Sequence, residues 1–119
     1  MTPDAIADLY LAAWNAAEAG ERNALLAQGW SDSARYTDPL MQGEGRHGIS
    51  TMIEQARTQF PGLRFTRVGK LDSHGAFVRF SWALGTAGNA PAALGTDIVR
   101  LDDEGRIAEV IGFLDAIAA

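Results

Sequence analysis

The chain contains no cysteine, which excludes a disulfide framework and any zinc site with thiolate ligands. Its two histidines, His47 and His74, stand apart in the sequence and lack the spacing of metal ligands. No apolar run approaches the roughly 20 residues that a membrane-spanning helix needs. The sequence therefore predicts no bound metal and no membrane partner.

Positive charge is scarce as well. Ten Lys and Arg stand against 15 Asp and Glu, and the net charge of −5 argues against a nucleic-acid partner, which normally requires a basic patch. Phosphate loops, dinucleotide fingerprints and serine elbows are missing too, so we expect no cofactor. The start, Met1-Thr2-Pro3-Asp4, does not resemble a signal peptide, and we expect a cytoplasmic protein.

What is present is the pattern of one domain, residues 1–119, that begins with helices. Thr2-Pro3 is a good helix start, and Gly20 is a good stop. Between them lies an apolar stripe that also carries Tyr10: Ile6, Leu9, Ala13, Trp14 and Ala17. A short second helix is predicted from Arg22 to Gln28, and a third carries Ile49, Met52, Ile53, Ala56 and Phe60 on one face.

The remaining segments predict strands. Residues 33–38 alternate and stop at Pro39, and Gly43, Gly45 and Gly48 predict a flexible loop before the third helix. Four later strands are predicted at 63–71, 77–84, 94–101 and 106–114, with a turn at Asp72-Ser73-His74-Gly75. Helices followed by a meander of strands predict an α+β fold, with the helices on one face of a curved, mostly antiparallel sheet.

Three polar side chains fall on faces that this pattern assigns to the core: Tyr10, Asp38 and Asp97. A buried hydroxyl without a partner costs about 1–3 kcal/mol, and an isolated charge costs far more. Asp38 is either a cavity residue or part of a surface turn, since Asp before Pro is a common turn signal. Asp97 is either a cavity residue or the partner of Arg79 or Arg106 in a salt bridge.

Four segments, taken in order, resemble the nuclear-transport-factor-2-like superfamily over essentially the whole chain. This superfamily includes ketosteroid isomerases, SnoaL-type polyketide cyclases, scytalone dehydratase and limonene epoxide hydrolase. The segments are Tyr10-Leu11-Ala12-Ala13-Trp14-Asn15-Ala16, Ala34-Arg35-Tyr36-Thr37-Asp38-Pro39 with Gly43 and Arg46-His47-Gly48, residues 95–101, and Asp103-Glu104-Gly105-Arg106-Ile107 leading to Gly112-Phe113-Leu114-Asp115. The resemblance implies a cone: a strongly bent mixed sheet around three helices, with an internal cavity.

The resemblance also implies roles for the three polar residues. Asp38 matches the aspartate that moves the proton in ketosteroid isomerases. Tyr10 and Asp97 match the phenol and the neutral carboxylic acid that stabilise the enolate oxygen in those enzymes. The tyrosines that often surround the phenol are missing, because the third helix offers Met52, Gln55 and Ala56 there, and Tyr36 is a partial substitute.

A mostly apolar lining is expected around these groups, as in most small-molecule sites. The predicted substrate-binding residues are Trp14, Tyr36, His47, Met52, Phe80, Trp82, Val99 and Leu114. For His47 the alternatives are a dyad with Asp38 and a surface or capping role. The apolar residues can equally be plain core.

The function expected from this set is cofactor-free proton transfer on a small apolar ketone through an enolate. The alternatives are a related cyclase or dehydratase, or a non-catalytic module that binds a hydrophobic ligand or serves as a dimeric scaffold. We also expect a homodimer, because the outer face of the sheet carries Phe77, Ile98, Ile111 and Phe113, which a monomer would leave exposed.

Overall fold

The computed structural model describes residues 1–118 of the chain. The elements are α1 (Pro3–Asn15), α2 (Ala19–Gly29), β1 (Trp30–Thr37), β2 (Gln42–Glu44), α3 (Gly45–Gln59), β3 (Arg64–His74), β4 (Phe77–Gly85), β5 (Ala93–Leu101) and β6 (Ile107–Ile117). The strands form one sheet in the order β2-β1-β6-β5-β4-β3, and among residues 1–118 only the β1–β6 pair is parallel. The predicted α+β class, with three helices and a mixed, mostly antiparallel sheet, is confirmed.

Helix α1 begins as predicted and ends earlier. The Thr2 hydroxyl accepts a hydrogen bond from the Ala5 amide at 3.1 Å, which caps the helix. The helix stops at Asn15, and Gly20 lies inside α2. Two arginines explain the early stop, because Arg57 donates to the Trp14 carbonyl at 2.9 Å and buried Arg22 donates to the Ala16 carbonyl at 3.1 Å. These bonds satisfy carbonyls that a helix end leaves without partners.

The predicted glycine loop is the clearest error in the sequence-based fold. Residues 42–44 form β2, which pairs antiparallel with β1, so that Gly43 lies opposite Tyr36. Gly45 has a φ of +74°, which lets the chain turn directly from this strand into α3. Helix α3 therefore starts at Gly45. The predicted turn after β3 is also shorter, because the strand continues to His74 and only Gly75 and Ala76 remain for the turn.

The register of the sheet positions Asp97, a polar residue of the core. Asp97 lies in the middle of β5, opposite Phe80 on β4 and Gly112 on β6. Two residues earlier on β5, Gly95 lies opposite Trp82. Since side chains alternate along a strand, Gly95 and Asp97 share the inner face of the sheet.

The outer face of the sheet exposes large apolar side chains. Phe77 is 42%, Ile111 42% and Phe113 51% exposed, and Ile98 is half-buried. This is the set from which a homodimer is expected, and the homodimer stays a prediction. Among the described residues, no helix is long and apolar enough to cross a membrane.

Candidate active site

A cavity of about 80 Å³ lies between the helices and the inner face of the sheet, and Tyr10, Asp38 and Asp97 all line it. The other lining residues are almost all apolar. Of the predicted substrate-binding residues, four lie in the lining: Trp14, Tyr36, Trp82 and Leu114. The structure thus brings the three polar residues to one cavity and surrounds them with aromatic rings.

The other four predicted substrate-binding residues lie elsewhere. His47 is exposed in the first turn of α3, because that helix starts before it and turns its side chain outward. Three more residues are buried outside the lining: Met52, Phe80 and Val99. Phe80 illustrates the reason, since its ring packs edge-on against Tyr10 with centroids 5.2 Å apart. Strand and helix phase identify the inner face and do not say where on that face the cavity lies.

Asp38 combines the two roles that its sequence context offered as alternatives. Its Oδ1 accepts hydrogen bonds from the amides of Leu40 at 2.7 Å and Met41 at 2.9 Å, which closes the turn after β1. Its Oδ2 accepts a hydrogen bond of 2.5 Å from the Tyr36 hydroxyl inside the cavity. Three donors therefore hold this half-buried carboxylate in place.

Asp97 has far fewer partners although it is much more deeply buried, with 2% of its surface exposed. Its Oδ2 accepts one hydrogen bond, from the Trp82 indole at 3.1 Å. Its Oδ1 is buried and has no hydrogen-bond partner. The predicted alternative of a salt bridge is wrong, because Arg79 pairs with Asp72 and Arg106 donates to the main-chain carbonyls of Ala27 and Trp30.

Burial raises the pKa of the Asp97 carboxyl from 3.8 to about 6. The nearby Tyr10 hydroxyl and the Trp82 indole, which favour the ionised form, oppose this rise, and the negative charge of Asp38 adds to it. A carboxyl with this pKa is mostly ionised at pH 7 and mostly protonated below pH 6. The neutral acid implied by the family resemblance is therefore the minor form at neutral pH.

The two tyrosines of the cavity are neutral hydrogen-bond donors. Burial raises the pKa of Tyr10 well above its usual value, and the nearby Asp97 and Tyr36 raise it further. Burial, followed by the charges of Asp97 and Asp38, raises the pKa of Tyr36 in the same way. The ring of Tyr10 is fixed by stacking on Trp30, with centroids 5.6 Å apart.

Two glycines, Gly95 and Gly112, shape the site, although the sequence pattern assigned neither of them a role there. A Cβ on Gly95 would lie 2.1 Å from the Trp82 ring, so only glycine leaves room for the indole to lie over β5 and donate to Asp97. A Cβ on Gly112 would lie 2.7 Å from Asp97 Oδ1, 3.2 Å from Asp38 Cβ and 3.4 Å from the Tyr36 hydroxyl. The side chains of Asp97, Asp38 and Tyr36 thus converge over Gly112. Glycine within a strand often marks a close approach, and this was the available signal.

Within residues 1–118, no three His, Asp or Glu side chains are placed to hold a metal ion. The polar chemistry available in the cavity is that of two carboxyls and two phenols. The Asp38 carboxyl accepts three hydrogen bonds, whereas the Asp97 carboxyl has one oxygen without a partner. This arrangement is suited to accepting a proton from a bound molecule and to donating hydrogen bonds to it.

Comparisons with known proteins agree on the family. The family model of the SnoaL-like domain matches residues 7–110. The crystal structure of a proposed isomerase of the SnoaL-like family from Agrobacterium tumefaciens is 52% identical, with a TM-score of 0.92, over 98% of this chain and 100% of that one. No curated protein matches the chain.

More distant structures share the fold alone. A SnoaL-like protein of unknown function from Burkholderia thailandensis is 14% identical, with a TM-score of 0.74 over 96% of this chain and 95% of that one. A proposed polyketide cyclase from Sinorhizobium meliloti is 15% identical, with a TM-score of 0.70 over 94% of this chain and 99% of that one. With the match over residues 7–110 and the 52% identical relative, the chain belongs to the SnoaL-like family of the nuclear-transport-factor-2-like superfamily.

Proposed function

We propose that this protein is a cofactor-free enzyme that moves a proton on a small apolar carbonyl compound, with Asp97 as the base. The observation that carries this proposal is that Asp97 lines an apolar cavity and that its buried Oδ1 atom has no hydrogen-bond partner. An unpartnered buried carboxylate oxygen is costly to the fold. Such a group is expected where a bound molecule supplies the missing proton.

The geometry favours Asp97 over Asp38, the residue to which the resemblance assigns the base. A carboxylate has about four lone-pair sites, and three donors already occupy three of those of Asp38. Asp97 receives one hydrogen bond, from Trp82. In this proposal Asp38 instead orients Tyr36 and anchors the wall of the cavity.

The acidity of Asp97 also suits the role. A general base is most effective when its pKa lies near the working pH, because it is then ionised and still has a useful affinity for a proton. Burial raises the pKa of Asp97 to about 6, which meets both conditions at neutral pH. A fully solvated aspartate, with a pKa near 3.9, is a much weaker base.

In the proposed step, a C–H bond next to the substrate carbonyl breaks and its proton moves to Asp97 Oδ1. The electron pair moves onto the carbonyl oxygen and forms an enolate. The Tyr10 hydroxyl donates a hydrogen bond to that oxygen, since it lines the same cavity and stays neutral. A preorganised donor in a dry site contributes several kcal/mol to such a step. Return of the proton to another carbon gives an isomer. Attack of the enolate carbon on a second carbonyl forms a ring, and the proton on Asp97 then moves to the new alkoxide oxygen.

The test uses 3-cyclohexenone, whose isomerisation to the conjugated ketone is followed by ultraviolet absorbance. We expect Asp97→Asn to lower kcat/KM by about 10²–10⁴-fold, the usual contribution of a general base. Asp38→Asn is the matched variant and should lose about tenfold or less. For the wild type, kcat/KM should rise with pH through a midpoint near 6 and then level off, because the base must be ionised.

Two outcomes would overturn the assignment. A larger loss in Asp38→Asn than in Asp97→Asn returns the base to Asp38. If the wild type is as inactive as both variants while 3-cyclohexenone still quenches its tryptophan fluorescence, the protein is a binding module rather than an enzyme.

A further inference from the structure

The mouth of the cavity carries three large apolar side chains in contact with solvent. Leu40 is 64%, Phe60 36% and Ile117 63% exposed, and all three line the cavity. They come from separate parts of the chain: the turn after β1, the C-terminal cap of α3 and the end of β6. We call these three residues the rim.

Single exposed apolar residues are ordinary, but a group around one opening is not. The rim residues are continuous with the apolar lining that leads inward to Tyr10 and Asp97. Across Ile117, a shallow apolar depression of about 170 Å³ shares Ala93 and Ile117 with the cavity lining. An apolar path therefore runs from the buried end of the cavity to the surface.

The cavity is too small for a typical complete ligand. It measures about 80 Å³, whereas sites for drug-sized ligands measure about 300–1,000 Å³. The buried end, with Tyr10 and Asp97 at 1% and 2% exposure, accommodates a reacting head group of a few atoms. The rest of a larger substrate must lie outside, on the rim.

We propose that the rim binds the hydrocarbon tail of an elongated substrate whose carbonyl head enters the cavity. The head-group part of this inference rests on the proposed function, while the tail part rests on the rim. A second copy of the chain is a less suitable occupant, because the exposed Phe77, Ile111 and Phe113 of the outer sheet face do not line the cavity. One molecule that fills the cavity also covers the rim.

The test is the affinity for 2-alkanones from 2-butanone to 2-dodecanone, measured by quenching of tryptophan fluorescence, since Trp14 and Trp82 line the cavity. Beyond the length that fills the cavity, affinity should keep rising by up to about fourfold per methylene in the wild type. In the double variant Leu40→Ser/Ile117→Ser this rise should stop. Val68→Ser is the matched control, because Val68 is 38% exposed and lies away from the rim.

Equal chain-length dependence in the wild type and the rim variant would overturn the proposal. Both rim positions are exposed, so the double variant should keep its fold, and its circular dichroism spectrum should match that of the Val68→Ser control. Asp97→Asn separates the two proposals, because tail binding needs no base and its chain-length dependence should match that of the wild type. If the protein isomerises 3-cyclohexenone but its affinity for 2-alkanones does not depend on the rim, only the proposal of tail binding is wrong. If that affinity does depend on the rim but no isomerisation occurs, only the proposed enzymatic function is wrong.

Discussion

Two aspartates line one cavity, but the regions that carry them offer the carboxylate very different numbers of hydrogen-bond donors. Asp38 follows the end of β1, where a tight turn presents two main-chain amides and a neighbouring phenol to it. Asp97 lies in the middle of β5, where the main-chain groups are engaged in the sheet and one indole is the donor that reaches it. A strand end has free amides to satisfy a carboxylate, and a strand centre has none.

This difference separates structural from chemical roles. The carboxylate with three donors holds the chain in a defined turn. The carboxylate with one donor keeps an oxygen available and has a pKa of about 6, close to the working pH. Variants that change one aspartate at a time therefore have different expected effects.

The largest expected effect is on the pH dependence of stability, measured as the free energy of unfolding in urea. The folded-state pKa of Asp97 is raised from 3.8 to about 6, so the folded protein binds its proton more tightly than the unfolded chain does. The contribution of Asp97 to the free energy of unfolding should therefore fall by roughly 3 kcal/mol as the pH rises from about 4 to just above 6. In Asp97→Asn this fall should be absent.

Trp82→Phe tests the same carboxyl as Asp97→Asn, because it keeps Asp97 and removes its hydrogen-bond donor. Removal of the indole hydrogen bond raises the pKa of Asp97 further, because this bond favours the ionised form. The fall in stability should then extend to higher pH in Trp82→Phe. An unchanged pH dependence in Asp97→Asn would show that the buried carboxyl does not titrate in this range.

The next effect concerns the glycine between the two aspartates. In Gly112→Ala the added Cβ would lie 2.7 Å from Asp97 Oδ1, so the carboxylate must move. We expect a loss of about 1–3 kcal/mol in the free energy of unfolding, typical of overpacking, together with a lower kcat/KM on 3-cyclohexenone.

Gly48→Ala provides the matched control, since no atom lies within 4 Å of its added Cβ and it sits in α3. Alanine there should be neutral or stabilising by up to about 1 kcal/mol. Equal stabilities and rates for the two alanine variants would mean that Asp97 Oδ1 does not occupy the space above Gly112.

The site was predictable to the extent that it depends on alternation along a strand. The spacing of Asp97 from Val99 and Leu101 placed it on the inner face, and the structure buries it there. Its partner Trp82 was not predictable as a hydrogen-bond donor, because this needs the register that sets Trp82 opposite Gly95. Register depends on pairing between distant segments, which one sequence does not specify.

The fold was predictable where local signals agree with the tertiary structure. Thr2-Pro3 predicted the start of α1, and the later alternation predicted four strands. Strand β2 was missed because its three residues include Gly43, and pairing with β1 overrides the weak strand propensity of glycine. His47 lies on the surface, which is one of the two alternatives that its sequence context left open, and the helix that turns it outward begins at a glycine.

The smallest expected effects are those of Asp38, and they test whether its role is structural. Asp38→Ala removes three hydrogen bonds and should cost about 1–2 kcal/mol in the free energy of unfolding, as the loss of a capping side chain does. Asp38→Asn keeps an oxygen for the amides of Leu40 and Met41 and should cost less than half of that. It also removes a charge that raises the pKa of Asp97, so the midpoint of the rate profile should move slightly to lower pH. If Asp38→Asn costs as much stability as Asp38→Ala, the charge of Asp38 contributes more to stability than its hydrogen bonds to the turn. The roles of the two aspartates would then differ less than their hydrogen bonds indicate.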